Sequence, residues 1–150
     1  MNTASTILLI EDDEHDAFFL KRALQRTRPD LNLQLTTDGQ QAVDYLDGND
    51  EYCDRGKYPL PSLIFVDLKL PYLSGFQVLE HIRTNPSLVG IPVAVLTSSA
   101  EERDRQRAFA LGAKAYLVKP PTPQMLLEVL GPAPTASEVQ PSGSDRVLER

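Results

Sequence analysis

The sequence holds a single cysteine, Cys53, so no disulfide can close within the chain and no cysteine zinc site can be built from it. That usage fits a cytoplasmic setting. No apolar run approaches bilayer-spanning length, and the N-terminus lacks the basic stretch followed by an apolar one that marks a secretory leader. Positive charge is also scarce: 15 lysines and arginines stand against 21 acids, a net charge of −6. Such a surface repels a phosphate backbone, and no DNA-reading motif is present, so neither nucleic acid nor membrane is an expected partner. There is no internal repeat. What is present is ordinary for a globular protein: 150 residues, 41% hydrophobic and 24% charged, enough for one domain around one core.

The apolar residues fall into two alternating periods. Ile7 to Ile10 is apolar on both faces and reads as a buried strand. From Asp13 to Arg28 the period is helical, with Ala17, Leu20 and Leu24 on one face and Lys21, Arg22, Gln25 and Arg26 outside. Pro29-Asp30 stops that helix. Leu31, Leu33 and Leu35 alternate with polar residues, as in a half-covered strand at a sheet edge. Asp38-Gly39 is a turn into a short second helix carrying Ala42, Val43 and Leu46, and residues 47–62 form a long polar loop of the kind that either contacts a partner or is a plain insertion. Leu63 to Val66 is a second buried strand ending at Asp67. Ser74-Gly75 opens a third helix with Val78, Leu79 and Ile82 inward. Ile91 to Leu96 is the next buried strand, ending at Thr97-Ser98-Ser99. Glu101 to Leu111 is a charged fourth helix anchored only by Ala108 and Leu111 and closed by Gly112. Ala115 to Val118 is a fifth strand ending at Lys119, and Thr122-Pro123 caps and starts a fifth helix with Met125, Leu126 and Val129, ended by Gly131-Pro132. Residues 132–150, rich in Pro, Ser and Ala, read as a disordered tail on a domain of residues 1–131.

Five strands alternating with five helices imply an α/β fold, a parallel sheet covered on both faces through right-handed crossovers. Ligands of such sheets sit outside the carboxyl ends of the strands, where strand order reverses. The residues found there are Glu11-Asp12, Asp67, Thr97 and Lys119. Clustered carboxylates repel one another and demand a compensating charge, from a lysine or from a divalent cation. Oxygen-only ligands suit magnesium better than zinc or copper. The competing reading, that acids cap the following helix, takes Asp13 and Glu14.

The ordered set resembles the receiver domains of two-component response regulators over about residues 5–131. The residues that carry the likeness are Ile7-Leu8-Leu9-Ile10-Glu11-Asp12, Phe65-Val66-Asp67-Leu68-Lys69-Leu70-Pro71 with Gly75, Val95-Leu96-Thr97-Ser98, and Ala115-Tyr116-Leu117-Val118-Lys119-Pro120. The resemblance implies a doubly wound, flavodoxin-like five-stranded parallel sheet in the order 2-1-3-4-5. It implies that Asp67 accepts a phosphoryl group from a phosphohistidine on a sensor histidine kinase, the protein catalysing only its own phosphorylation and dephosphorylation. Magnesium would be held by Asp12, Asp67 and the backbone carbonyl of Lys69, with Glu11 steadying a metal-bound water. Lys119 would supply positive charge to Asp67 and the phosphoryl group, the Thr97 hydroxyl a hydrogen bond, and Tyr116 would turn inward as Thr97 moves. Phosphorylation would thereby alter the face built from the fourth helix, fifth strand and fifth helix.

Lys69 and Ser99 stand where many members carry other side chains, which bears on the lifetime of the phosphorylated state. Pro120-Pro121 is unusual in the family, whose Lys-Pro bond is cis. His15 and His81 read as surface helix residues and Cys53 as incidental. The chain is expected to carry no separate output domain and so to act by binding a partner. The long loop with Glu51-Tyr52, and Ile91-Pro92-Val93, resemble the single-domain regulators paired with phytochrome histidine kinases. That subgroup implies a homodimer through the face just named. Three rival readings stand beside this one. A haloacid dehalogenase-type phosphatase also employs a strand-terminal Asp nucleophile, but needs a second acid two residues on, where Lys69 stands. A receiver-like scaffold that is never phosphorylated would have no need of all five site positions. A flavin module of the same topology needs hydroxyls and glycines after the first strand, and Glu11-Asp12-Asp13 would repel its phosphate.

Overall fold

A computed structural model describes residues 5–131. Its five strands, β1 (Thr6–Ile10), β2 (Asn32–Thr36), β3 (Leu63–Val66), β4 (Val93–Thr97) and β5 (Ala115–Val118), form one sheet in the order β2-β1-β3-β4-β5. Every pairing is parallel. The expected α/β architecture and strand order are therefore those observed. The proposed tail, residues 132–150, lies outside the described residues.

Alternation along the strands explains why both faces need cover. Ile7, Leu9, Phe65, Ala94 and Leu96 pack on one side with Leu20, Leu24 and Leu126, which belong to α1 (Glu14–Thr27) and α5 (Pro123–Leu130). Leu8, Ile10, Ile64, Val66, Val93 and Val95 pack on the other, beneath α2 (Gly39–Asp47), α3 (Gly75–Arg83) and α4 (Glu102–Ala110). β1, β3 and β4 have water on neither face and read accordingly as unbroken apolar runs. β2, at the edge, is only half covered, and Leu35 is exposed.

Local chemistry sets the helix ends. Asp13 caps α1, its carboxylate accepting from the Asp16 amide at 2.9 Å, and that bond holds its pKa below the ordinary carboxylate value. Asp38, Ser74 and Thr122 cap α2, α3 and α5 in the same way. The first helix is thus one residue shorter at each end than its apolar period suggested, because Asp13 and Arg28 serve as caps. Likewise β4 begins at Val93 rather than Ile91. Residues 91 and 92 approach the sheet, and the Pro92 carbonyl accepts from the Ile64 amide, but proline has no N–H with which to pair in return.

The long polar stretch is more ordered than its composition implied. A 3₁₀ turn, Asp50–Cys53, follows α2, and Tyr52 and Tyr58 pack against the buried Tyr45 at ring separations of 5.1 and 5.8 Å. Arg55 folds back on the end of α2, donating to the carbonyls of Tyr45 and Leu46 at 2.8 and 2.9 Å. The last carbonyls of a helix have no partner within it, and the guanidinium supplies one. Cys53 is exposed and free. Among the described residues no helix is long and apolar enough to cross a membrane.

Candidate functional site

The carboxyl ends of β1, β3 and β5 bring three of the expected residues into direct contact. Lys119, one residue past β5, donates from Nζ to Glu11 Oε1 at 2.6 Å and to Asp67 Oδ2 at 2.8 Å. Its third partner is Asp16 Oδ2 on the first turn of α1, also at 2.8 Å. Carboxylate oxygens of Glu11, Asp12 and Asp67 all lie within 4.8 Å of one another. Glu11 and Asp67 are buried, whereas Asp12 faces solvent. Asp12 therefore lies at the mouth of the crevice, with the two buried acids and the lysine behind it.

Burial raises the pKa of Glu11 above its ordinary value, and repulsion from Asp67 adds to that. The Lys119 hydrogen bond and the Asp13 amide, which donates at 3.1 Å, pull it down without cancelling the rise. For Lys119 burial works against the charged form, but hydrogen bonds to Asp16, Asp67 and Glu11 outweigh it and hold the ammonium above its ordinary pKa. Lys119 is thus a fixed cation. Four carboxylates around one ammonium still leave the site strongly negative. Hard oxygen donors with excess negative charge and one side open to solvent fit a divalent cation.

The backbone around Asp67 is held by two close approaches. Gly75, at the start of α3, lies so near the 67–68 backbone that a Cβ there would come within 2.2 Å of the Asp67 carbonyl oxygen. Its amide donates to the Leu68 carbonyl at 2.8 Å. Gly39 meets the Leu73 carbonyl in the same manner, so α2 and α3 both clamp the loop that follows β3. Within that loop the Lys69 amide donates to Asp67 Oδ1 at 3.4 Å.

Thr97 closes β4 fully buried, with its hydroxyl 3.4 Å from the Ser99 amide that donates to it. Tyr116 pairs with Val95 across the sheet, packs inward, and donates its hydroxyl to the Ser99 carbonyl at 2.9 Å. Burial raises its pKa. Ser99 joins these residues to α4: its hydroxyl donates to Asp104 at 2.7 Å and accepts from the Glu101 amide. Thr97, Ser99, Tyr116 and the start of α4 therefore form one connected cluster beside the carboxylates. The Lys119-Pro120 bond is cis. His81 pairs with Asp47 at 2.8 Å on the surface, away from this crevice.

Asp16 is the residue that sequence reasoning left without a role. A signal for it existed. It stands four residues before Leu20 and eight before Leu24, both buried, and so continues the inward stripe of α1 by one turn toward the strand ends.

Comparison with known proteins agrees with the fold described above. A family model described as response regulator receiver domain matches residues 7–131. Response regulator Rcp1 of Synechocystis sp. is 37% identical over 118 residues, 79% of this chain and 78% of Rcp1. The structure of its Mn(2+)-bound form superposes with a TM-score of 0.72 at 35% identity, covering 84% of this chain and 88% of that one. The phosphorylated cyanobacterial phytochrome response regulator RcpA gives a TM-score of 0.74 at 30% identity over 85% of this chain and 89% of its own. The bacteriophytochrome response regulator RtBRR gives 0.76 at 37% identity, covering 85% and 76%.

Proposed function

Since the chain belongs to the response regulator receiver family, we propose that it accepts a phosphoryl group on Asp67 from a sensor histidine kinase of the phytochrome class. The observation that carries this reading is the contact of Lys119 Nζ with Asp67 Oδ2 at 2.8 Å at the carboxyl edge of the sheet, beside Glu11 and Asp12. A receiver is a signalling protein rather than an enzyme acting on an external substrate.

The chemistry follows from the groups present. An Asp67 carboxylate oxygen forms a bond to phosphorus as the P–N bond of the donor phosphohistidine breaks. The bonding pair passes to the imidazole, which takes up a proton. Negative charge on the phosphoryl oxygens is met by the Lys119 ammonium, held in place by the acids around it. Thr97 lies at the adjacent strand end, where a small displacement would let its hydroxyl donate to the same oxygens. Asp12 and Asp67, with the carbonyl of Lys69, would hold magnesium, and Glu11 would steady one of its waters. A divalent cation bound there supplies the further positive charge that attack by an anion on a phosphoryl group requires. The phosphatase alternative is disfavoured because Lys69 occupies the position where a general acid would be needed, and an unphosphorylated scaffold would not need this assembled set.

Movement of Thr97 toward a phosphoryl group would disturb the Ser99 and Tyr116 bonds and, through Asp104, α4. That helix has one buried anchor, Ala108, so displacing it breaks little apolar packing. The output surface is then α4, β5 and α5; a groove of about 710 Å³ runs from this face, at Arg105, Phe109 and Met125, to the amino ends of the strands at Ser5, Ser62 and Pro92. This face would form a homodimer in the cytoplasm. Sedimentation of the protein at high concentration, with and without phosphorylation, tests that part; a monomer in both conditions contradicts it.

The phosphoacceptor assignment is tested by incubation with magnesium and phosphoramidate, followed by intact mass. The parent should gain one phosphoryl group, chelation of magnesium should prevent it, and Asp67→Asn should gain none. Equal labelling of parent and variant would sink the assignment.

A further inference from the structure

Lys119 has three N–H donors, and all three are in use: one each to Glu11, Asp67 and Asp16. A phosphoryl group arriving at Asp67 needs a donor from the same ammonium while Asp67 is still a carboxylate, so one of these bonds must be given up at that stage. The three are not equally easy to break. The side chains of Glu11 and Asp67 are only 4% and 10% exposed, so a carboxylate released there would remain in a dry site without its cation. Asp16 is 44% exposed and can exchange the ammonium for water. It is also the one partner on a helix rather than at a strand end, with its backbone amide tied to the cap of α1.

We infer that Asp16 is a positioning residue for phosphoryl transfer, holding Lys119 through the N–H that the arriving phosphoryl group takes over. This rests on the reading of Asp67 as the phosphoacceptor. In the unmodified protein Asp16 stops the third donor from pairing elsewhere and aims it across the crevice. As the phosphoryl donor approaches, that carboxylate turns to solvent, so its arrival at Asp67 is felt at the first turn of α1. The arrangement exacts a cost: the phosphoryl donor competes with Asp16 for Lys119.

That competition makes the idea testable with phosphoramidate as the probe, by following the initial rate of phosphorylation against its concentration at fixed magnesium. In Asp16→Asn the third donor is held by a neutral amide. The half-saturating phosphoramidate concentration should fall about threefold, the scale of a half-exposed ion pair, with a smaller change in the saturated rate. Asp16→Glu, which keeps the carboxylate, should return toward the parent value. A general disturbance of the fold would instead lower the saturated rate in both variants. An unchanged or raised half-saturation in Asp16→Asn, or a fall in Asp16→Glu equal to that in Asp16→Asn, would overturn the inference while leaving Asp67 intact. A parent protein that takes up no phosphoryl group would overturn the reading of Asp67, and this inference with it.

Discussion

An alanine at Gly75 should cripple phosphorylation by more than it destabilises the protein. On helix propensity alone the change would help, because alanine is favoured over glycine by about 1 kcal/mol within a helix. The geometry reverses the sign. The new Cβ would stand 2.2 Å from the Asp67 carbonyl oxygen, 2.7 Å from Leu68 Cα and 2.9 Å from the Asp67 carbonyl carbon. All three are backbone atoms, so no side-chain rotation relieves the contact. Relief needs the 67–68 backbone or the start of α3 to retreat by about 1 Å, an overpacking cost of about 1–3 kcal/mol. A displacement of that size at a reacting group costs about a hundredfold in rate. Urea denaturation and phosphoramidate labelling, run side by side on Gly75→Ala, measure the two effects. Gly90→Ala is the control, since nothing lies within 4 Å of a Cβ there. A Gly75→Ala protein with the parent's denaturation midpoint and labelling rate would refute the claim that this glycine positions Asp67.

Two further outcomes follow from the same structure. Asp12→Ala should weaken magnesium binding by at least about tenfold by calorimetric titration, since loss of even an indirect partner of a metal costs that much; undiminished affinity would remove Asp12 from the metal site. Tyr45 donates its hydroxyl to the Pro59 carbonyl from a buried position, and burial pushes its pKa up to about 12 from an ordinary 10.0. Because the folded value is the higher one, this group's stabilising contribution is complete below about pH 10 and lost as pH rises toward about 12. Burial raises the pKa of Tyr52 and Tyr116 as well, so Tyr45→Phe should show a shallower alkaline slope in its denaturation midpoints than the parent and not a flat one; identical slopes would contradict the assignment.

The strands were legible because each central one is an apolar run that ends in a polar or charged residue, and the sheet order places those endings side by side. Glu11, Asp12, Asp67 and Lys119 therefore emerged together from the sequence. Asp16 did not, because its importance depends on a lysine more than a hundred residues away reaching across to α1, and helical phase alone shows only that it faces inward. The stretch 47–62 misled for a related reason. Its glycines, prolines and charges indicate loop, but Tyr52, Tyr58 and Arg55 acquire their meaning only against Tyr45 and the exposed carbonyls of α2. The start of β4 was misplaced because Ile91 and Pro92 are as apolar as a strand, while the ladder depends on a donor that proline lacks.

The central claim is that the phosphoryl group resides on Asp67. An aspartyl phosphate is an acyl phosphate, and borohydride reduces it to homoserine, which peptide mass mapping locates to a single residue. After treatment with phosphoramidate and magnesium, borohydride should convert position 67 to homoserine and leave Asp12 and Asp16 as aspartate. Homoserine at position 12 or 16 instead, or phosphorylated protein that yields none, would contradict the account.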